Sequence, residues 1–82
     1  MKIRVKLNQV AVFKAIARRN LSINGVAEKA GLSGSYLSQL LNHTRYPSPE
    51  AREKIMKVLE PMTFDDIFEF EIEEDGNAGV SI

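Results

Sequence analysis

The 82-residue sequence contains no cysteine and a single histidine, His43. The first absence excludes disulfides and thiolate metal sites, and one imidazole cannot by itself build a metal site. No apolar run approaches the roughly 18–20 residues of a membrane span, and no signal-peptide h-region follows the N-terminus. The expectation is therefore a reducing, cytoplasmic setting, with no cofactor, membrane or small-molecule ligand indicated. Net charge is also lacking, and it would argue against a nucleic-acid partner if the charges were evenly spread. They are not. All eleven Lys and Arg lie in residues 1–63, opposed there only by Glu28, Glu50, Glu53 and Glu60, while residues 64–82 hold seven acids and no base. A basic body with an acidic end can carry a DNA-binding face although the total cancels.

Eighty-two residues make one domain with one modest core. The centre of the chain is Ser22 to Asn42, which reads as two short helices joined at Gly31. Val26, Ala27 and Ala30 precede the turn and Leu37, Leu40 and Leu41 follow it, at the three- and four-residue spacings of a helix with one buried face. Small Ala27 allows close approach of the second helix, and Gly31 supplies the positive φ of a sharp turn. Ser22 and Ser33 are placed as N-caps. The outward face of the second of these helices, about 34–41, presents Ser35, Ser38 and Gln39 with Tyr36 beside them. Uncharged amide and hydroxyl groups are an unusual choice for a merely solvated helix face, where Lys and Glu aid solubility. They suit base edges, where Gln pairs with adenine and Ser with any base.

On the N-terminal side, Lys2 to Leu7 alternates bases with Ile3, Val5 and Leu7, the pattern of a half-buried strand. A first helix follows from Asn8 as cap through about Asn20, with Val12, Phe13, Ile16 and Ala17 expected to face the core. Arg18 and Arg19 in its last turn suit either the helix dipole or a phosphate. Beyond residue 42, His43, Thr44 and Arg45 form a loop of phosphate-binding character. Ser48-Pro49-Glu50 then starts a fourth helix that runs to about Leu59, with Ala51, Ile55, Val58 and Leu59 inward. Thr63 caps a short helical turn in which Phe64, Ile67 and Phe68 plug the core. Phe68 to Glu73 alternates again, now with acids at Glu69, Glu71 and Glu73, so this strand is expected to pair with residues 2–7 through opposite charges. Antiparallel pairing is favoured, while pairing within one chain or between two is left open. Asp75-Gly76-Asn77 signals a turn. The expected layout is one domain over 1–75 and a flexible tail over 76–82.

The run L-S-I-N-G-V-A-E-K-A-G-L-S-G-S-Y-L-S-Q-L-L-N, continued by P-S-P-E-A-R-E-K-I-M-K-V-L, resembles the phage Cro/CI-type helix-turn-helix family, also called the XRE family. The likeness covers about residues 9–60, and T-F-D-D-I-F resembles the following segment of small phage and mobile-element regulators. Ala27, Gly31, Leu37 and Asn42 stand where that pattern has a small residue, a glycine, an aliphatic residue and an asparagine. The resemblance implies a mainly α fold of four to five helices with an added strand at each end, β-α-α-α-α-(α)-β. It implies a double-stranded DNA-binding transcriptional regulator of repressor type, acting as a homodimer. Base-facing positions would be Ser33, Gly34, Ser35, Ser38 and Gln39; phosphate-facing ones would be Arg19, Ser22, Asn24, Tyr36, Asn42, His43, Thr44 and Arg45. Two departures stand out. Ile23 occupies a place often held by glutamine, passing its anchoring role to Ser22 or Asn24, and Gly34 replaces a longer polar side chain.

Bland readings compete at several positions. Ser33 serves as a cap before it serves as a reader, and Tyr36 fits packing over the turn as well as a backbone contact. No acid/base pair, nucleophile or phosphate loop stands in a defined setting, so no enzymatic activity is expected. The other reading is an interaction module of the same fold, antitoxin- or antirepressor-like, using the terminal strands by β-augmentation. Its support is the acidic strand, which would repel DNA if placed near it.

Overall fold

The computed structural model describes residues 1–73; the expected turn at Asp75–Asn77 and the tail from 76 lie outside the described residues. The order is β1 (Lys2–Leu7), α1 (Gln9–Arg18), α2 (Ile23–Ala30), α3 (Gly34–Leu41), α4 (Pro49–Val58), α5 (Phe64–Ile67) and β2 (Phe68–Glu73). Every helix starts at a side chain that accepts a backbone N–H of its first turn: Asn8, Ser22, Ser33, Ser48 and Thr63. At Thr63 the arrangement is reciprocal. Asp66 N–H donates to Thr63 Oγ1, while Thr63 N–H donates to Asp66 Oδ2 at 2.9 Å.

That reciprocity holds the Asp66 carboxyl below the ordinary Asp range, because Thr63 backbone and side-chain donors favour the charged form. A depressed carboxylate contributes stability that is complete above its unfolded pKa and is lost as pH falls through its folded value. Asp66→Asn should therefore lower Tm at neutral pH and converge with the parent in strong acid. A gap in Tm that persists in strong acid would show that the carboxylate charge is not the source.

Helices α1, α2 and α3 end alike, on a residue in the left-handed region: Asn20 (φ 55°), Gly31 (φ 72°) and His43 (φ 61°). In each case the next residue reaches back five positions, Leu21 N–H to Ile16 O, Leu32 N–H to Ala27 O and Thr44 N–H to Gln39 O. This is the Schellman closure. The core formed between the helices holds Val12, Ile16, Val26, Ala27, Leu37, Leu40, Leu41, Ile55, Leu59 and Ile67, joined by Leu7 and Phe68 from the inner ends of the strands.

Burial corrects the expected inward face of α1. Val12, Ala15 and Ile16 are buried, whereas Phe13 is 41% exposed and Ala17 is exposed. The helix is rotated so that Ala15 faces inward and Phe13 lies at the edge of the buried stripe.

The strands pair within one chain, antiparallel, with Lys2 opposite Glu73, Arg4 opposite Glu71 and Lys6 opposite Glu69. The acids of β2 thus face the three bases of β1. The ion pairs themselves run diagonally, Arg4 to Glu73 at 2.9 Å and Lys6 to Glu71 at 3.6 Å. Only the inner end of this ribbon is covered by helices. The radius of gyration is 14.3 Å and the longest axis 48 Å, against the ~11–12 Å radius of a compact domain this size. The ribbon projects as an arm.

Candidate nucleic-acid interface

The face built on α3 begins with an unusual contact. A Cβ added at Gly34 would collide with Asn24 Oδ1 and lie 3.2 Å from its Cγ. Gly34 therefore provides room for the Asn24 side chain at the α3 N-terminus. It has no side chain with which to read a base. Asn24 and Ser22 are exposed at the start of α2, with Ser22 Oγ accepting Gly25 N–H at 2.9 Å. The sequence departure at Gly34 and the position of the Asn24 side chain are thus one structural feature.

Gly34→Ala is expected to fold at least as well as the parent, since Ala is favoured over Gly in a helix by up to ~1 kcal/mol and only the end of an exposed side chain must move. DNA affinity should fall several-fold as Asn24 is displaced. Unchanged affinity in a mobility-shift titration would remove Asn24 from the contact surface.

Along α3, Leu37, Leu40 and Leu41 are buried, Ser35 and Gln39 are exposed, and Ser38 is half-buried. Exposed Asn42 lies three residues beyond Gln39 and four beyond Ser38, so it continues their face. Ser33 is exposed, yet its hydroxyl accepts Tyr36 N–H at 3.0 Å and so serves as the cap.

The following loop closes over the α3 C-terminus. Gln39 O accepts Thr44 N–H at 3.0 Å, Thr44 Oγ1–H at 3.2 Å and Arg45 N–H at 3.3 Å. The Arg45 guanidinium lies 5.6 Å from the centre of the Tyr36 ring, and Tyr36 Oη accepts Ser48 N–H at 3.4 Å. Tyr36 thus packs over the loop and stacks beneath Arg45. Residues 29–49 contain no acid. This surface combines an uncharged helix face with Arg45 at one end and Asn24 at the other.

Two expected phosphate residues are engaged elsewhere. His43 Nε2 donates to Leu7 O at 2.8 Å, tying the end of α3 to β1. Arg19 donates to Ala15 O at 3.3 Å, Leu59 O at 3.0 Å and Glu60 O at 2.9 Å, joining the C-terminal ends of α1 and α4. Both guanidinium and imidazole hold elements together here. Sequence reasoning missed Gln9, whose side-chain amide donates to Leu41 O at 3.1 Å, and Tyr46, whose hydroxyl donates to Glu71 Oε1 at 2.6 Å with Arg4 5.0 Å from its ring. The first contact ties α1 to the end of α3, and the Tyr46 contacts link the arm to the loop after α3. Tyr46 donates a hydrogen bond to Glu71, and with the nearby Lys6 and Arg4 charges this holds the Glu71 carboxyl below its ordinary range.

Among the described residues, no group of three or more His, Asp or Glu is placed to hold a metal ion. Among the same described residues, no helix is long and apolar enough to cross a membrane. Neither curated proteins nor solved structures yield a significant match to this chain. Its residues 13–67 do match the helix-turn-helix family, a span that runs from α1 through α5 and contains the whole α2–turn–α3 surface. The chain belongs to the XRE-type helix-turn-helix family of DNA-binding regulators.

Proposed function

We propose that this protein is a sequence-specific regulator that binds double-stranded DNA as a homodimer, of the repressor type found in phages and mobile elements and working in the cytoplasm. The observation that carries the proposal is the α3 surface, with Ser35, Ser38 and Gln39 outward, no carboxylate from residue 29 to 49, and Arg45 stacked at its end. Helix α3 enters the major groove. Gln39 and Ser35 read base edges, with Ser38 and Ser33 at the margins. Gly34 allows close approach, and Asn24, Ser22, Asn42, Thr44 and Arg45 meet phosphates. Two copies hold their α3 helices about 34 Å apart to match successive major grooves on one side of the duplex.

Selection of sites from a random duplex pool identifies the operator. Gln39→Ala should then relax preference at one base pair by roughly 1–3 kcal/mol. An equal loss on all sequences would overturn base reading by Gln39. Arg45→Ala should weaken binding on every sequence and reduce the salt slope by about one phosphate. If the parent shows no retardation on either operator or genomic DNA at low salt, the interaction-module reading takes its place.

A further inference from the structure

The apolar side of the arm is a ladder that starts in the core and leaves it. Leu7 and its partner Phe68 are buried, Val5 is half-buried beside Phe70, and Ile3 and Ile72 end the row. Phe70 touches Phe64 with one flank, the ring centres 5.8 Å apart, yet is 60% exposed. Ile3 is 61% and Ile72 58% exposed. Three large apolar side chains on one side of the ribbon form a contiguous patch, which marks an interaction surface.

Charge decides how a second copy meets it. A two-fold axis that pairs β1 with β1 places Arg4 opposite Arg4 and Lys2 opposite Lys6 on the polar side. Pairing β2 with β2 places Glu71 opposite Glu71 and Glu69 opposite Glu73. Like charges directly across a strand pair destabilise it. A one-residue slip brings apolar and charged side chains onto one face, which is no better. Joining β1 to β2 of another copy matches the charges but is head-to-tail and does not close into a pair. The apolar side carries no charge and has none of these conflicts.

We infer that two copies pack these arms face to face, Ile3, Val5, Phe70 and Ile72 of one against the same residues of the other, as a small two-sheet sandwich. This inference rests on the dimer reading above and specifies its interface. Sheets packed this way lie ~10 Å apart. The polar side of each arm stays outward, held by Tyr46 of the loop after α3, and His43 fixes the arm's inner end to the C-terminal end of α3. The arm angle then sets the separation of the two α3 helices. With an aromatic side chain presenting 150–250 Å² in all, each of the exposed residues offers on the order of 100 Å². The pair therefore buries roughly 600–800 Å², less than the ~1,200 Å² of standard stable interfaces. A dimer that dissociates at micromolar concentration or above follows, with operator DNA holding the two copies together.

The absence of native cysteine makes the test direct. Ile72→Cys and Phe70→Cys chains are examined by oxidative cross-linking and by the rate of thiol labelling against protein concentration, with folding checked by circular dichroism. The expected result is a cross-linked dimer and labelling that slows at least fivefold as the dimer fills. Cross-linking through Arg4→Cys or Glu71→Cys in its place would overturn the face-to-face geometry while preserving the dimer. Labelling of Ile72→Cys that is slow at every concentration would assign the patch to the chain's own residues 74–82 and overturn the inference. Phe70→Lys/Ile72→Lys should be folded and monomeric by sedimentation, with operator affinity reduced at least tenfold; an unchanged dimer would place the interface elsewhere. A parent chain that sediments as a monomer, free and on operator DNA, would refute the dimer reading itself.

Discussion

Leu37→Ala is expected to lower folding stability by about 2.7–5 kcal/mol. Leu37 is fully buried within α3, in the one cluster that also contains Val26, Ala27 and Leu40. Its removal withdraws apolar surface from the core and leaves a cavity that the short helices on either side cannot fully close. An 82-residue domain has a total stability of roughly 4–12 kcal/mol, at ~0.05–0.15 kcal/mol per residue. The loss therefore takes roughly a fifth of the whole at the least, and toward the lower end of that range it leaves a substantial unfolded fraction at physiological temperature. In urea the midpoint should fall with the slope unchanged, the sign of lost stability without altered compactness. Leu37→Met conserves volume and should cost less than ~1.5 kcal/mol. A loss below 1 kcal/mol for the alanine variant would mean that α2 and α3 are held by something other than this packing.

The same residue shows why so much of the fold is legible in the sequence. Leu37, Leu40 and Leu41 are inward both by spacing and by observed burial, because every apolar position of so short a helix falls within one narrow stripe. The caps are legible for a different reason. Ser, Asn and Thr satisfy orphan N–H groups locally, so the signal lies within four residues of where it acts. Complementary charge makes the strand pairing legible as well. What escaped depends on partners distant in sequence. Phe13 sits on the border of its helix stripe, and periodicity alone cannot tell which border residue turns inward. His43 accepts a backbone conformation that glycine would adopt more readily, and its imidazole bridges 36 residues to Leu7. Nothing in the local sequence carries that bond. The outer half of the arm shows the converse. Ile3, Phe70 and Ile72 read as one side of a half-buried sheet, yet among the described residues they stay exposed, since the helices cover only the inner end of the ribbon.

The second large effect concerns Arg19, whose sequence position alone suits a helix dipole or a phosphate. Its guanidinium donates to carbonyls of Ala15, Leu59 and Glu60, and so closes the end of α1 onto the end of α4. Hydrogen bonds from a charged donor are worth about 1.5–3 kcal/mol each where they are shielded. The Glu60 carbonyl is exposed and regains water at little cost, while those of Ala15 and Leu59 are partly buried. Arg19→Met keeps most of the apolar stem and removes the donors, so a net loss of about 2 kcal/mol is expected in chemical denaturation. Operator binding provides the discriminating measurement. If these carbonyls are the role of Arg19, the variant, measured where it is fully folded, should bind with the salt slope of the parent. A slope reduced by about one counterion with little change in stability would reverse the assignment and return Arg19 to the DNA. Loss of stability at constant slope, set beside Arg45→Ala with the opposite pattern, separates the arginine that holds the scaffold from the one that meets the phosphate backbone.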